Sequence, residues 1–172
     1  MTTAAALGVP KEYGRSRALQ RVREPRQLVH IGADTQQRPQ FLTPHAARAW
    51  AGLHDAANFD GVELLVVSAF RSIEYQLGIL RRKLERGQSI DQILAVSAAP
   101  GYSEHHSGRA LDLTTSGFAP LEEEFERSSA FSWLTANAQR FRFYLSYPRG
   151  NRHAIAYEPW HWCWRARPAI RR

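Results

Sequence analysis

The stretch GYSEHHSGRALDL, residues 101–113, places two adjacent histidines in a glycine-flanked loop and an aspartate between two leucines. Its second half, continued as RALDLTT, has the apolar pattern of a short strand. A carboxylate that is buried without a partner is unfavourable, since the charge loses its hydration. Asp112 therefore either faces water from a half-buried strand or meets a cation inside the protein.

Size and composition are those of one ordinary globular domain. The chain has 172 residues, of which 44% are hydrophobic and 23% charged. Its longest apolar runs, such as LLVVSAF, are too short to cross a bilayer. The single cysteine, Cys163, excludes an internal disulfide framework and a multi-cysteine metal site. Because MTTAAALGVPKEYG lacks the pattern of a secretory signal, we expect a cytoplasmic protein, with periplasmic or cell-wall action reached by another route.

The net charge of +7 raises the question of an acidic partner. Arginine-rich clusters occur in KEYGRSRALQRVREPR, RRKLER and RARPAIRR. No zinc finger, RNA-binding signature or basic heptad region accompanies them. We interpret the charge as a solvated basic surface and do not expect nucleic acid as a partner.

Helix signals dominate the first two thirds of the chain. Residues 1–28 are polar, basic and aperiodic, with one short helix near residues 15–22, and are predicted to be an N-terminal arm to a single domain of residues 29–172. Thr43, followed by proline, is a typical N-cap for a helix that ends near Asn58. A second helix, SIEYQLGILRRKLERG, is opened by Ser72, and a third lies in SIDQILAVSAA.

Strand signals come mostly later. VELLVVSAF is rich in β-branched residues and predicts a buried strand between the first two helices. One or two helices with acidic first turns are predicted in PLEEEFERSSAFSWLTANAQRF. FYLSYP and IAYEPWHWCW then predict a hairpin of two strands. This order favours an α+β fold with a mainly antiparallel sheet.

Two histidines and a carboxylate form a common ligand set for catalytic zinc, and the chain offers them around Asp112. His105 lies in the loop before its strand, and EPWHW supplies His161 together with Glu158 as a general base. Periodicity does not choose between His105 and its neighbour His106. On a regular strand Glu158 and His161 would face opposite sides, unless the strand begins or bulges at the intervening proline.

Three blocks carry a family resemblance: SAFRSIEYQ, GYSEHHSGRALDL and SYPRGNRHAIAYEPWHW. They resemble the motifs of VanY-type D-alanyl-D-alanine carboxypeptidases, which belong to a wider group of zinc peptidases that includes lysostaphin and the hedgehog signalling domain. The blocks span about residues 66–164, with S-x-H-x-x-G-x-A-x-D in the middle block and E-x-W-H in the last. The resemblance implies a hedgehog/DD-peptidase-like α+β fold, in which helices pack on a small, mainly antiparallel sheet.

The resemblance also implies a role for each site residue. It assigns His105, Asp112 and His161 as zinc ligands and Glu158 as the catalytic base. Arg71 matches the family's arginine for the terminal carboxylate of a substrate, which a guanidinium binds by two parallel hydrogen bonds. The other residues expected at the substrate are Ser103, Gln76, Tyr157 and Trp160.

The implied function is a monomeric zinc D,D-carboxypeptidase that releases the terminal D-alanine from peptidoglycan-type stem peptides. The same residues suit a D,D-dipeptidase or an L,D-carboxypeptidase; an endopeptidase fits Arg71 less well. A non-catalytic cell-wall-binding or protein-binding module is the alternative from another class, although such a module has little need of Glu158. The chain departs from the family pattern at Arg142 and Ala154, where glycine is common, and at Trp162 and Cys163, where some relatives have arginine or tyrosine.

Overall fold

The computed structural model describes residues 3–166. Within them, the α-helices are α1 Tyr13–Ser16, α2 Pro44–Phe59, α3 Ile73–Glu85, α4 Ile90–Val96 and α5 Ser129–Asn137. The strands are β1 Val29–Ala33, β2 Pro39–Leu42, β3 Leu65–Ser68, β4 Ala110–Thr114, β5 Phe143–Leu145 and β6 His161–Trp164. Short 3-10 turns lie at Ala5–Leu7, Glu104–Ser107, Glu123–Arg127 and Ala138–Phe141.

The centre of the fold is a four-stranded sheet of order β3-β4-β6-β5, with all neighbours antiparallel. Strands β1 and β2 form a separate antiparallel pair. In the central sheet Asp112 of β4 lies opposite His161 of β6 on one side and Ser68 of β3 on the other. The predicted α+β class with a small antiparallel sheet is confirmed.

The main core lies between α2 and this sheet. Ala46, Trp50, Leu53 and Ala57 recur every three or four residues, so they share one helical face, and all four are buried. This face packs in one apolar cluster with residues of the sheet and of α5, including Leu111, Leu113, Leu134, Phe143, Trp162 and Trp164.

Local signals place most helix boundaries as predicted. The Ser72 hydroxyl accepts a hydrogen bond from the Tyr75 amide at 3.0 Å, and Ser89 forms a reciprocal capping box with Gln92. Thr43 does occupy the N-cap position of α2, but its hydroxyl donates to the Gly108 carbonyl at 3.3 Å instead of capping the helix. Thr43 thereby ties α2 to the turn that leads into β4.

Three sequence predictions need correction. The helix near residues 15–22 is instead α1 at Tyr13–Ser16, because Ala18 takes a left-handed conformation with φ 50° and ends it. The acidic residues predicted for the first turn of a helix lie instead in the 3-10 turn Glu123–Arg127. The first turn of α5 contains no acidic residue. The final strand is limited to His161–Trp164, because the chain turns at residues 159–160 just before it.

The arm proposed for residues 1–28 packs on α3 and α4 where it is described. Val9 and Tyr13 are buried in a second apolar cluster with Leu80 and Ile93. The Tyr13 hydroxyl accepts a hydrogen bond from the Ala99 amide at 3.2 Å. The boundary at residue 28 stays a prediction. Among the described residues, no helix has the length and apolar character needed to cross a membrane.

Replacing Tyr13 tests whether the arm belongs to the folded unit. We expect Tyr13→Ala to lower the free energy of unfolding by about 3–5 kcal/mol, since it empties a buried aromatic site and removes a hydrogen bond. Tyr75, which is 48% exposed on α3, is the matched control, and Tyr75→Ala should change stability by about 0.5 kcal/mol or less. Urea unfolding followed by fluorescence measures both; equal effects of the two substitutions would contradict this role.

Candidate metal centre and substrate pocket

Three buried side chains converge at the middle of the central sheet. Asp112 projects from β4, His161 begins the neighbouring strand β6, and His105 lies in the 3-10 turn that precedes β4. Each is at most 3% exposed, and one ligand atom from each lies within 4.8 Å of the others. The antiparallel register and one short turn are therefore enough to assemble a two-histidine, one-carboxylate cluster.

His105 presents a lone pair to Asp112. Its Nδ1 donates a hydrogen bond to the Ala69 carbonyl, which fixes the proton on that nitrogen. Its Nε2 then lies 3.1 Å from Asp112 Oδ2 and has no hydrogen-bond partner among the described residues. Two acceptor atoms that face each other in a buried site fit a bound metal cation.

His106, the competing candidate, does not point to this cluster. Its Nδ1 donates to the Arg71 carbonyl at 2.7 Å, and its Nε2 accepts from the Gly101 amide at 3.1 Å. Because backbone groups engage both ring nitrogens, His106 has no lone pair for a metal. It fixes the chain around Arg71 instead.

His161 lies between two carboxylates. Its Nδ1 is 3.0 Å from Asp112 Oδ1, and its Nε2 is 3.0 Å from Glu104 Oε2. Burial alone would lower the pKa of His161, but these two carboxylates raise it to about 10. A metal at the cluster would take the place of the Nδ1 proton, while Nε2 would continue to donate to Glu104.

Glu104 is a candidate functional residue that the sequence did not indicate. Burial would raise the pKa of Glu104, but the hydrogen bond from His161 lowers it to about 2, so the side chain is an ionised acceptor. A carboxylate in this position orients a ligand imidazole and increases its basicity. The only local signal was its position directly before His105, since its partner lies 57 residues away.

Electrostatics in the cluster favour a cation. Burial would raise the pKa of Asp112, yet His105 and His161 hold it well below its usual range. Burial and the charge of Arg71 lower the pKa of His105 to about 4, so this imidazole is neutral at neutral pH. A neutral imidazole and an ionised carboxylate are the forms in which these residues bind metals.

Glu158 lies beside the cluster on the same side as His161. The turn at residues 159–160 separates them, and the His161 amide donates to the Glu158 carbonyl at 3.1 Å. Glu158 Oε2 is 3.8 Å from His161 Nδ1. Because β6 begins only at His161, strand alternation does not apply to this pair. Burial raises the pKa of Glu158 to about 7, which suits a group that accepts and returns a proton near neutral pH.

Arg71 brings a positive charge into the same pocket. Its Nη2 lies 3.6 Å from Asp112 Oδ2, and its side chain is 22% exposed. The Arg71 amide donates to the His105 carbonyl at 3.3 Å, and this hydrogen bond links the loop after β3 to the turn before β4. The guanidinium thus lies at the boundary between the cluster and a cavity of about 480 Å³.

The remaining predicted site residues divide into two groups. Ser103, Tyr157 and Trp160 line this cavity, and Trp160 also packs against the main core. Gln76 is fully buried behind the wall, where its amide donates to Ser97 Oγ and the Ala98 carbonyl. Its contact with substrate stays a prediction; in the structure Gln76 fixes the wall that Ser97 and Ala98 form.

Two further cavity residues were missed in the sequence. The Tyr147 ring lies 4.8 Å from the His161 ring, and the Tyr147 carbonyl accepts from the Glu158 amide at 3.0 Å. Lys83 lines the cavity from α3, where burial, followed by the charge of Arg71, lowers its pKa. Neither could be identified from spacing, because the residues they meet are distant in the chain.

The geometry fits a mononuclear metal site of the hydrolytic type, with three residues that could serve as ligands and an acid beside them. The profile of VanY, D-alanyl-D-alanine carboxypeptidase, matches residues 39–167. The chain belongs to this family.

Curated relatives match the chain with moderate identity. YodJ of Bacillus subtilis is 35% identical over 127 residues, which cover 71% of this chain and 45% of YodJ. A D-alanyl-D-alanine carboxypeptidase of Enterococcus faecalis is 34% identical over 120 residues, covering 64% of this chain and 43% of that protein. The chain thus matches less than half the length of either relative.

Solved structures share the fold. The LdcB LD-carboxypeptidase superposes with a TM-score of 0.73 at 30% identity, covering 82% of this chain and 69% of its own. A vancomycin-resistance D,D-pentapeptidase VanY mutant in complex with Zn(II) gives 0.62 at 27% identity and 87% coverage of both chains. VanYB in complex with D-alanine-D-alanine gives 0.65 at 25% identity, with 87% of this chain and 86% of that chain covered.

Removing the charge of Glu104 tests its role behind His161. We expect Glu104→Gln to weaken Zn²⁺ binding by about 10–100-fold, because the imidazole loses its orienting carboxylate. Competition with a chromophoric chelator measures the affinity directly, without an activity assay. Glu74→Gln, at an exposed position on α3, is the control and should leave the affinity unchanged. Equal affinities for the wild type and Glu104→Gln would contradict the role.

Proposed function

We propose that the protein is a zinc-dependent D,D-carboxypeptidase that releases the terminal D-alanine from peptidoglycan-type stem peptides. The main support for this proposal is that the two-histidine, one-carboxylate cluster, the acid Glu158 and the cation Arg71 all line one cavity. Family membership supports the reaction class. The VanY structure with Zn(II) supports the metal, and the VanYB structure with D-alanine-D-alanine supports the substrate.

Arg71 is the residue that makes the proposed enzyme a carboxypeptidase. A free C-terminus carries a carboxylate, and a guanidinium can bind both of its oxygens at once. The Arg71 side chain is 22% exposed and lines the cavity, and only its Nη2 approaches Asp112, so its other terminal N–H groups can face a ligand. The carboxylate would lie on Arg71, beside the metal cluster, and the scissile bond would lie towards Glu158.

Glu158 moves the protons in this proposal. Bound zinc would polarise the scissile carbonyl and lower the pKa of a water molecule. Glu158 would take a proton from that water while the oxygen of the water attacks the carbonyl carbon. The same carboxyl then gives the proton to the amine nitrogen of the departing D-alanine, so that the peptide C–N bond breaks and the base is regenerated.

An L,D-carboxypeptidase that trims tetrapeptide stems is the second candidate. The LdcB LD-carboxypeptidase has the higher TM-score and identity of the three structures above. Both activities remove a terminal D-alanine and need the same ligands, base and arginine. They differ in the stereochemistry of the penultimate residue, which would be distinguished by its contacts with the cavity walls.

Glu158→Gln separates catalysis from binding. We expect the rate of D-alanine release to fall by about 10²–10⁴-fold, since the amide cannot accept the proton of the water. Zinc binding and peptide binding should persist. Glu122→Gln, at another acid that lines the cavity, is the matched control and should retain most activity.

Mass spectrometry of released D-alanine measures these rates on a pentapeptide stem, a tetrapeptide stem and free D-alanyl-D-alanine. Wild-type release should be fastest from the pentapeptide and stop on chelation. Preference for the tetrapeptide would establish the L,D-carboxypeptidase instead. Peptide binding with no release from any substrate, by zinc-loaded wild type, would favour a non-catalytic binding module.

The role of Arg71 predicts how the enzyme treats a blocked terminus. Wild type should cleave a pentapeptide with a free carboxylate about 10–100-fold more efficiently than its C-terminal amide, because the charge-assisted hydrogen bonds are lost. Arg71→Gln should lose most of this preference. The comparison of kcat/KM on the two peptides measures it, and Arg81→Gln, exposed on α3, is the control. An undiminished preference in Arg71→Gln would place the carboxylate elsewhere.

A further inference from the structure

Five arginines form a second charged site, away from the substrate cavity. They are named here the arginine cluster: Arg21, Arg23, Arg109, Arg142 and Arg165. Three of them flank the same end of three adjacent strands, since Arg109 precedes β4, Arg142 precedes β5 and Arg165 follows β6. The antiparallel register places the starts of β4 and β5 beside the end of β6. The topology of the sheet therefore brings together three arginines that are far apart in sequence.

The N-terminal arm contributes the other two. The Val22 amide donates to the Gly101 carbonyl at 2.8 Å and holds the arm against the loop before β4. Arg21 and Arg23 flank this attachment point. Together with Arg109 and Arg165 they line an open cavity of about 620 Å³.

Aromatic rings hold several of these guanidinium groups in place. Arg109 and Arg142 lie over the Trp164 ring, at 5.9 and 5.4 Å from its centroid. Arg21 lies over the Tyr102 ring at 5.6 Å. A guanidinium that stacks on a ring keeps its N–H groups at the periphery, where they can bind a ligand with little further loss of side-chain entropy.

Arg142 is also placed against its backbone preference. Its φ of 69° lies in the left-handed region, which is unfavourable for any residue with a Cβ and is usually taken by glycine. Arginine thus stands where the family pattern commonly has glycine, and its guanidinium reaches the Trp164 ring.

The described residues that line this cavity carry a surplus of positive charge, with four arginines and one acid, Glu104. Within residues 3–166, no member of the arginine cluster forms an ion pair with a carboxylate. The Glu104 carboxylate accepts from His161. Glu24 is directed elsewhere, to the Ile73 amide at 2.6 Å.

We infer that the arginine cluster binds a phosphodiester polymer that lacks nucleobases. Guanidinium groups match phosphate oxygens in geometry as well as charge. An open cavity with cations along its walls suits successive phosphates of a chain. Single-stranded nucleic acid fits less well, because proteins that bind it typically stack its bases on exposed aromatic side chains. Trp164 is buried, and arginines cover both Trp164 and Tyr102.

Binding of a glycerol-phosphate polymer, labelled at one end, tests the inference. The zinc-loaded wild type should bind it at low salt, and the affinity should fall as salt rises. Arg23→Gln/Arg109→Gln should weaken binding at least tenfold and reduce the slope of log Kd against log salt by roughly two. The matched control Arg81→Gln/Arg86→Gln removes the same charge from two exposed positions, one on α3 and one directly after it, and should stay within about twofold of wild type.

Circular dichroism melts establish that both double variants are folded. Because the polymer contains no peptide, the binding result does not depend on the proposed peptidase activity. If the cluster variant and the control variant weaken polymer binding equally, the arginine cluster is not a defined binding site. Absence of polymer binding by the wild type would also overturn the inference. Tighter binding of single-stranded DNA of equal charge would replace the inference with nucleic-acid binding.

Discussion

The burial of the Asp112 carboxylate is the constraint around which this protein is organised. A charge in the interior needs paired partners, since an unpaired one destabilises the fold by roughly several kcal/mol. Here His161 donates to Asp112 at 3.0 Å and Arg71 lies 3.6 Å away, while the unprotonated Nε2 of His105, at 3.1 Å, could share a metal cation with the carboxylate. These three residues come from the neighbouring strand, the loop after β3 and the preceding turn. The same contacts thus hold the sheet together and assemble the site.

A rigid frame of backbone contacts surrounds these side chains. The Ala69 carbonyl fixes the proton of His105, and the Arg71 carbonyl accepts from His106. One short loop therefore orients His105, a candidate metal ligand, turns His106 away from the cluster and carries Arg71. Such frames pre-organise a site, because the ligand atoms are held in place before anything binds.

How far the sequence predicts the molecule depends on how local each signal is. Ser72 and Ser89 act on amides three residues away, so their helices were predictable. The choice of His105 over His106 needed the family resemblance, because the carbonyls that decide it lie 36 and 35 residues distant. Glu104 was missed for the same reason. Its partner is brought near only by the pairing of β4 with β6, which residue spacing does not encode.

The docking of the N-terminal arm has a consequence for how the chain folds. Tyr13 reaches Ala99, and the Arg17 guanidinium donates to the Ala154 carbonyl at 2.6 Å, across 137 positions of sequence. Contacts of such separation close large loops, and loop closure is slow because it restricts many residues at once. The arm is translated before Ala154, so it cannot complete its contacts until Ala154 has been synthesised. It therefore reaches its native position later than its place in the sequence suggests.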